Sequence, residues 1–186
     1  MKNVIILGCM KSGKSDLTNL IREQLGYSIV STDAFVKAFQ DRFPDLGINN
    51  HIDLLKKDEL LSPYIQSYMD SLVGSYSNIY FVVDGGHVMP KTIVPLFDRN
   101  NFMIVCLGFP NGDRESLFRN IKKYDTELSD TYHKSDEKLY ELIDNQIQYS
   151  KVMQEQCKML NVPYFETDLD RNNILDEIVS FIAKNI

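Results

Sequence analysis

Residues 8–15 read Gly8-Cys9-Met10-Lys11-Ser12-Gly13-Lys14-Ser15, a complete G-x-x-x-x-G-K-[ST] motif that directly follows the apolar run Val4-Ile5-Ile6-Leu7. In this motif the glycines let successive backbone N–H groups turn inward around a β-phosphate, and the N-terminus of the following helix adds its positive dipole end. The Lys14 ammonium is expected to reach the β- and γ-phosphates, and the Ser15 hydroxyl to bind Mg²⁺. The motif therefore predicts that residues 8–15 bind a nucleoside triphosphate together with Mg²⁺.

The composition limits what kind of nucleotide-binding protein this can be. The chain has 186 residues, of which 44% are hydrophobic and 25% charged, enough for one α/β domain with a sizeable core. The formal net charge is −6 and the isoelectric point is near 5.1. Sequence-independent nucleic-acid binding relies on a basic surface, so a nucleic-acid partner is not expected unless a local basic patch exists.

Cysteine usage and hydropathy indicate a cytoplasmic protein. The three cysteines, Cys9, Cys106 and Cys157, are widely spaced and odd in number, which is typical of reduced thiols. The apolar run before Gly8 has four residues, too few for a signal-peptide core, and no run reaches the length of about 18 apolar residues that spans a membrane. We therefore expect no export and no membrane span. A monomer or a homodimer is also expected.

Apolar β-rich runs alternate with helical patterns along the chain, as in a parallel sheet covered on both faces. Strands are predicted at residues 3–7, 27–31, 79–83, 102–107 and 162–166. Helices are predicted at residues 14–25, 91–98, 113–124, 136–160 and 172–184, with two or three more between residues 33 and 76. The pattern predicts a single α/β domain over residues 1–186. Ligands of such sheets bind beyond the carboxyl ends of the strands, where the loops hold the candidate residues.

The loop after the second predicted strand carries Asp33, followed two residues later by Phe35. A carboxylate at this edge can accept a proton from a substrate hydroxyl, or hold a water on Mg²⁺, because the phosphate-binding loop lies at the same edge. We therefore place Asp33 and Phe35 in the candidate substrate site. The alternative is that Asp33 caps the following helix, since Asp is a favoured N-cap residue, although Ser31 or Thr32 can cap it instead.

The loop after the third predicted strand reads Asp84-Gly85-Gly86-His87. Asp84 follows four apolar residues, an arrangement in which the carboxylate orients Mg²⁺ through water. Gly85 and Gly86 remove side chains beside the phosphate site, so that a substrate can approach the backbone N–H groups; the alternative is a tight turn. His87 can donate a hydrogen bond to a hydroxylated or anionic substrate, or be a structural residue.

The predicted helix after the fourth strand carries basic residues. Arg119 and Lys123 are four positions apart and share one helix face. This face can place one cation on an adenine ring and the other on a phosphate, whereas Lys122 fits a solvated basic face better. The segment 124–135 that follows is polar and lacks apolar periodicity, so it is predicted to be a mobile lid.

These residues together resemble the P-loop small-molecule kinases, a group that includes nucleoside-monophosphate, shikimate and gluconate kinases and chloramphenicol phosphotransferase. The resemblance implies a three-layer P-loop NTPase fold with a five-stranded parallel sheet. In that group the Asp after the second strand is the base or a metal-linked carboxylate, which corresponds to Asp33. The Gly pair after the third strand binds the acceptor, and Gly85 and Gly86 match it. Residues 84–90 are also similar to the E-G-x-H segment of 2-phosphoglycerate kinases.

The resemblance extends to the second half of the chain. An R-x-x-x-R pair before the lid of these kinases corresponds to Arg119 and Lys123. The loop after their last strand contacts adenine, and residues 167–171 match it loosely. The lid departs from the family pattern because residues 124–135 contain no arginine; Lys134 or His133 are the available replacements.

Residues 33–76 are expected to form the substrate-binding insertion. Arg42 within it can pair with a carboxylate or phosphate of the substrate, or be an exposed arginine at a helix end. Several aromatic residues can line the acceptor pocket or simply pack in the core: Tyr64, Tyr68, Tyr76, Tyr80 and Phe81.

The leading hypothesis is an ATP-dependent phosphotransferase that acts on a hydroxyl or anionic group of a small metabolite. Lys14, Asp33 and Arg119 would be its catalytic residues. The main alternative is a nucleotide-binding regulator or slow ATPase without an acceptor, which the absence of lid arginines favours. A polynucleotide kinase is disfavoured by the acidic charge, and a zeta-toxin-like kinase of a sugar nucleotide stays open.

Overall fold

A parallel sheet forms the centre of the molecule. The structure, a computed structural model, describes residues 1–127, 129, 131–168 and 171–186, with all of their side chains except those of Arg171 and Asn172. Five strands occur within these ranges: β1 (Asn3–Gly8), β2 (Ser28–Ser31), β3 (Phe81–Gly85), β4 (Phe102–Gly108) and β5 (Tyr164–Glu166). They lie in the order β2-β3-β1-β4-β5, all parallel. The predicted five-stranded α/β fold is confirmed.

Helices cover both faces of this sheet. Their bounds in the described residues are α1 (Lys14–Leu25), α2 (Thr32–Arg42), α3 (Leu54–Ser75), α4 (Pro90–Ile93), α5 (Arg114–Tyr124), α6 (Asp136–Leu160) and α7 (Arg171–Asn185), with short 3₁₀ turns at Pro44–Leu46 and Val94–Leu96. Helices α1 and α7 pack on one face, and α3, α4 and α6 pack on the other. Helix α5 packs on α6.

The uninterrupted apolar strands result from burial on both faces. In β1, Val4 and Ile6 face the core formed with α1 and α7, whereas Ile5 and Leu7 face the core formed with α3 and α6. All four side chains are fully buried, and successive side chains alternate between the faces because the strand period is two. Burial of each such side chain contributes about 1.5–3 kcal/mol to folding.

Several predicted element boundaries are wrong; the third and fifth strands, for example, each begin two residues later than predicted, at Phe81 and Tyr164. The third strand continues through Asp84 and Gly85, which pair with Ile6 and Leu7 of β1. The helix predicted at residues 91–98 is instead α4 followed by a 3₁₀ turn. Pro95 explains this break, because proline has no N–H to donate to the preceding helical turn.

The strand register brings three loops to one edge of the sheet. Asp84 pairs with Ile6 of β1 and with Ser31 of β2, so β1, β2 and β3 end at the same height. The phosphate-binding loop, the start of α2 and the segment after β3 therefore meet at the carboxyl edge. No helix within the described ranges is both long and apolar enough to cross a membrane.

Candidate active site

The phosphate-binding loop (residues 8–15) connects β1 to α1 and has the backbone conformation that its glycines permit. Gly8 has φ 153° and Gly13 has φ 95°, values that L side chains rarely adopt. A Cβ atom at Gly8 would also collide with the carbonyl oxygen of Leu107 in β4. Gly8 is therefore required by both the backbone conformation and the neighbouring strand.

Two polar groups of the loop are available for phosphate. The Ser12 hydroxyl is fully buried and has no hydrogen-bond partner within the described part of the chain. Lys14 is 8% exposed, and its ammonium donates to the Cys9 carbonyl at 2.8 Å, which uses one of its three protons. A buried hydroxyl without a partner and a buried ammonium beside inward-facing backbone fit the phosphates of a nucleotide.

Neighbouring elements hold the outer side of the loop. Met10 N–H donates to Gln146 Oε1 of α6 at 2.8 Å, and the Thr167 hydroxyl after β5 donates to the Ser12 carbonyl at 2.9 Å. The Lys11 ammonium forms an ion pair of 2.6 Å with Asp125, at the beginning of the segment predicted to be a lid. The loop is thus fixed before any ligand binds.

The Cys9 thiol packs against this framework, with its sulfur 3.8 Å from the Ser150 hydroxyl. Burial raises the pKa of the Cys9 thiol although the Lys14 charge opposes that rise. Cys9, Cys106 and Cys157 are all buried free thiols. Cys9 therefore contributes packing rather than a reactive thiolate to the loop.

The two residues predicted to hold the metal lie together. The Ser15 hydroxyl donates to Asp84 Oδ2 at 2.8 Å. A hydroxyl and a carboxylate at the end of a phosphate-binding loop are hard oxygen ligands that fit Mg²⁺, which keeps several waters when it binds phosphate. Direct contact by Ser15 and a water-mediated contact by Asp84 are compatible with this arrangement.

Thr32, which the sequence offered only as an alternative helix cap, joins two loops of the site. Its buried hydroxyl donates to the Asp84 carbonyl at 2.8 Å and accepts from the Gly86 N–H at 3.1 Å. The hydroxyl therefore fixes the loop after β3 relative to Asp33, the next residue along the chain. The sequence feature that could have indicated this role is its location at the end of a predicted strand, directly before a candidate carboxylate.

Asp33 and His87 form a hydrogen bond across the two loops. His87 Nε2 lies 2.8 Å from Asp33 Oδ1. The alternative that Asp33 caps α2 is wrong, because the helix begins at Thr32 and its N-cap residue is Ser31. The hydrogen bond from His87 is the main reason that the pKa of Asp33 lies below its usual range; the charges of Lys14 and Lys57 act in the same direction.

The two glycines after Asp84 have different surroundings. A Cβ atom at Gly85 would lie 2.8 Å from the Ile6 carbonyl oxygen, so close strand packing requires this glycine. A Cβ atom at Gly86 would lie 3.5 Å from Asp33 Oδ1 and 3.9 Å from Lys14 Nζ. Neither glycine has a positive φ, so a left-handed turn does not explain them. Gly86 separates the candidate base from the candidate phosphate-binding lysine.

Other predicted substrate residues lie away from this centre. Arg42 is exposed at the last position of α2, about 13 Å along the helix axis from Asp33. Phe35 packs edge-to-face on Tyr68, with their ring centroids 4.8 Å apart. The five aromatic residues suggested for a pocket do not form one cluster: Tyr76 packs on Phe81, and Tyr80 on Tyr27.

The basic helix α5 has mixed surroundings. Arg119 is exposed and donates to the Ser116 hydroxyl at 3.1 Å, and Lys123 lies 4.9 Å from the centre of the Tyr124 ring. Lys122 pairs with Asp136 at 2.7 Å, as expected for a solvated basic face. Two predicted segments are described only in part, because Leu128, Asp130, Leu169 and Asp170 lie outside the described residues.

Lys57 of α3 also acts on the site, because its charge helps to lower the pKa of Asp33. It is 5% exposed, and its α3 neighbour Lys56 is exposed. The signal for its burial was periodicity: Lys57 continues the four-residue spacing of Leu61, Ile65 and Met69, which are buried on the same helix.

Comparisons with known proteins agree with this architecture. No protein-family model and no curated protein sequence matches the chain. Among solved structures, a gluconokinase from Sinorhizobium meliloti 1021 matches with a TM-score of 0.63 and 17% identity, over 98% of this chain and 92% of that one. A shikimate kinase from Bacteroides thetaiotaomicron matches with a TM-score of 0.59 and 16% identity, over 98% and 97% of the two chains.

A deoxyadenosine kinase from M. mycoides is a further match, with a TM-score of 0.51 and 15% identity over 99% of this chain and 100% of that one. At such low sequence identity, the similarity to these structures shows a shared fold and nothing beyond it. The chain therefore has the fold of the P-loop small-molecule kinases, as the sequence resemblance implied.

Proposed function

We propose that this protein is an ATP-dependent phosphotransferase that moves the γ-phosphoryl group to a hydroxyl or anionic group of a small metabolite. One observation carries the proposal: Asp33 Oδ1 and Lys14 Nζ both lie within 4 Å of the position that a Gly86 Cβ would occupy. A candidate base and a candidate phosphate-binding cation thus both lie beside Gly86, which carries no side chain. The likeness to a gluconokinase and a shikimate kinase supports small-molecule phosphorylation.

The nucleotide would bind along residues 8–15. Backbone N–H groups and the Ser12 hydroxyl would contact phosphate oxygens, and Lys14 would stabilise negative charge on the transferring group. Ser15 and Asp84 would hold Mg²⁺, which neutralises charge on the β- and γ-phosphates when bound. Arg119 and Lys123 would contact the adenine and a phosphate from α5.

Asp33 would orient the acceptor. The acceptor oxygen forms a bond to the γ-phosphorus as the bond from that phosphorus to the bridging oxygen of ADP breaks, and the acceptor proton passes to Asp33. A carboxylate with a lowered pKa is a weak base, which suffices because the transition state of phosphoryl transfer is loose and depends mainly on positioning. The hydrogen bond from His87 holds the carboxylate in place.

Two segments would complete the site. We infer that residues 33–76 bind the acceptor and that residues 124–135 form a lid, with Lys134 or His133 in place of the missing arginines. The Lys11–Asp125 ion pair connects the beginning of that lid to the phosphate-binding loop. Lid closure would exclude water from the transferring phosphoryl group.

A second candidate is a nucleotide-binding regulator or slow ATPase. It is favoured by the absence of arginine from residues 124–135, since lysine does not reproduce the bidentate contact that arginine makes with a phosphoryl group. In that case nucleotide binding would act on the lid through Lys11 and Asp125, with no acceptor.

Steady-state ATP consumption with Mg²⁺, measured with and without a pooled extract of small metabolites, separates the two candidates. The phosphotransferase proposal predicts that the extract stimulates consumption by about tenfold or more, and that Lys14→Ala lowers turnover by about 100-fold or more while the fold is retained. In the Asp33→Asn variant, the extract should no longer stimulate ATP consumption. Slow consumption that no extract fraction stimulates would favour the regulator, and full turnover by Lys14→Ala would contradict both candidates.

A further inference from the structure

Lys11 has a backbone conformation that suits glycine better than lysine. Its φ is 65°, in the left-handed region where the Cβ atom of an L residue lies too close to the neighbouring carbonyl oxygen. Among the residues that the structure describes, Asn161 is the other non-glycine residue with a positive φ, and asparagine tolerates this conformation at the end of a helix. The fold of the loop therefore does not require a long side chain at residue 11, and backbone strain of this kind is concentrated at functional sites.

The Lys11 side chain connects the phosphate-binding loop to the start of the predicted lid. Its ammonium lies 2.6 Å from Asp125 Oδ1, and Asp125 directly follows Tyr124, the last residue of α5. The Asp125 side chain is 6% exposed, whereas that of Lys11 is 33% exposed. Asp125 accepts one of the three ammonium protons. Lys11, the more accessible partner, therefore has donors left for a ligand.

The backbone on both sides of Lys11 is held by bonds that do not involve its side chain. Met10 N–H donates to Gln146 Oε1 at 2.8 Å, and the Ser12 carbonyl accepts from the Thr167 hydroxyl at 2.9 Å. These two contacts fix the point at which the Lys11 side chain leaves the loop. The ammonium can therefore gain a ligand contact without a change in the loop backbone.

The transferring phosphoryl group needs cations that the lid does not supply as arginine. In the transition state, negative charge is spread over its three outer oxygens, and catalysis depends on cations placed around them. Residues 124–135 contain no arginine, and the Lys14 ammonium already donates one proton to the Cys9 carbonyl. Lys11 belongs to the same loop as Lys14 and is bonded to an anionic oxygen, the kind of acceptor that a phosphoryl group offers. A second cation is therefore available from the loop itself.

We propose that the Lys11 ammonium donates to an oxygen of the γ-phosphoryl group while Asp125 holds it in place, so that Lys11 supplies the charge that arginines of a lid would otherwise provide. This inference rests on the proposed phosphotransferase function and adds a catalytic residue to it. The γ-phosphoryl group, Lys11 and Asp125 then form a continuous chain of charge-assisted hydrogen bonds. ADP lacks the γ-phosphoryl group and leaves this chain incomplete, so the start of the lid distinguishes ATP from ADP.

Equilibrium binding of nucleotides tests this contact without requiring turnover. The ligands are β,γ-imido-ATP and ADP, each with Mg²⁺ at constant ionic strength, and their dissociation constants are measured by isothermal titration calorimetry. The test variant is Lys11→Gly, because glycine suits the φ of 65° and so preserves the loop backbone. Lys11→Arg keeps the charge. Lys122→Met is the matched control, since it breaks an exposed lysine–aspartate ion pair outside the loop.

Lys11→Gly should raise the Kd of β,γ-imido-ATP by about tenfold or more and the Kd of ADP by less than about threefold. Lys11→Arg and Lys122→Met should keep the wild-type ratio of the two constants. A lysine that only joins the loop to the lid would change the affinity for both nucleotides equally. Equal changes, or no change, in Lys11→Gly would overturn the proposal, as would a wild-type protein that binds neither nucleotide.

Turnover with an acceptor found in the metabolite extract separates this inference from the proposed function. Lys11→Gly should lower kcat by about 30-fold or more and change the acceptor KM much less, and Lys11→Arg should retain most of the wild-type rate. Phosphorylation of a metabolite at the wild-type kcat by Lys11→Gly would overturn the role of Lys11 and leave the phosphotransferase intact. A selective loss of β,γ-imido-ATP affinity in Lys11→Gly, with no metabolite phosphorylated by wild type, would support the Lys11 contact and count against the phosphotransferase.

Discussion

His87 Nε2 donates a hydrogen bond of 2.8 Å to Asp33 Oδ1 and thereby joins the loops that follow β2 and β3. The Asp33 side chain is largely exposed and the His87 side chain mostly covered. The histidine therefore acts as a fixed support for a carboxylate that faces the open part of the site. This hydrogen bond favours the ionised form of the candidate base.

Removal of the histidine should raise the pKa of Asp33. The hydrogen bond stabilises the ionised carboxylate and therefore contributes to the free energy of unfolding. This contribution is complete above the ordinary Asp pKa of about 3.9 and is lost as the pH falls through the lowered pKa of the folded state. In His87→Leu the Asp33 titration midpoint should move upward, whereas His87→Gln, which keeps a donor, should move it less. Carboxyl ¹³C NMR titration measures both. An unchanged midpoint in His87→Leu would show that this hydrogen bond does not govern Asp33.

Asp84→Asn should weaken Mg²⁺ binding and so increase the magnesium requirement of ATP turnover. The Asp84 carboxylate accepts from the Ser15 hydroxyl at 2.8 Å, and loss of its charge should raise the Mg²⁺ concentration for half-maximal activity roughly tenfold. Glu23→Gln removes an exposed carboxylate from the same helix as Ser15 and serves as the control. Equal magnesium requirements in Asp84→Asn and wild type would remove Asp84 from the metal site.

The adjacent glycines should respond differently to alanine. Gly85→Ala places a methyl group 2.8 Å from the Ile6 carbonyl oxygen and should destabilise the fold by about 1–3 kcal/mol. Gly86→Ala meets its nearest neighbour, Lys14 Cε, at 3.4 Å, so the fold should persist while the acceptor KM rises. Chemical denaturation and acceptor kinetics measure the two effects. A Gly86→Ala protein with wild-type acceptor kinetics would exclude a close approach of substrate to Gly86.

Substitution of two cationic residues on α5 tests whether this helix contacts the nucleotide. Arg119→Met should raise the KM for ATP about tenfold if the guanidinium contacts a phosphate or the adenine. Lys122→Met should leave that KM unchanged, because Lys122 is paired with Asp136 at 2.7 Å. Both side chains are exposed, so neither change should alter the unfolding midpoint. Equal KM values in the two variants would place the nucleotide away from α5.

Local patterns were sufficient to predict most of the fold. Helix α6 begins and ends at the predicted residues because Ser135 caps its first turn and Asn161 ends it in a left-handed conformation. Strand β1 was recognisable because burial on both faces makes it continuously apolar. The end of β3 was missed because the pairing of Asp84 and Gly85 depends on the register with β1, which a single segment does not encode.

The sequence predicted candidate site residues but only some of their contacts. Ser15 and Asp84 were expected at one metal site, and they are hydrogen-bonded. The His87–Asp33 pair was not predicted, since it depends on how the segments after β2 and β3 meet at the edge of the sheet. Arg42 has the charge expected of a substrate residue, but its place at the far end of α2 separates it from Asp33.

The most direct test of the phosphotransferase proposal follows the fate of the γ-phosphoryl group. The protein is incubated with Mg²⁺, ATP labelled with ¹⁸O in that group and the metabolite extract, and products are identified by mass spectrometry beside Lys14→Ala and Asp33→Asn. We predict an ¹⁸O-labelled phosphometabolite that forms with wild type and is lost in both variants. Label recovered only in inorganic phosphate would contradict the proposed transfer to a metabolite.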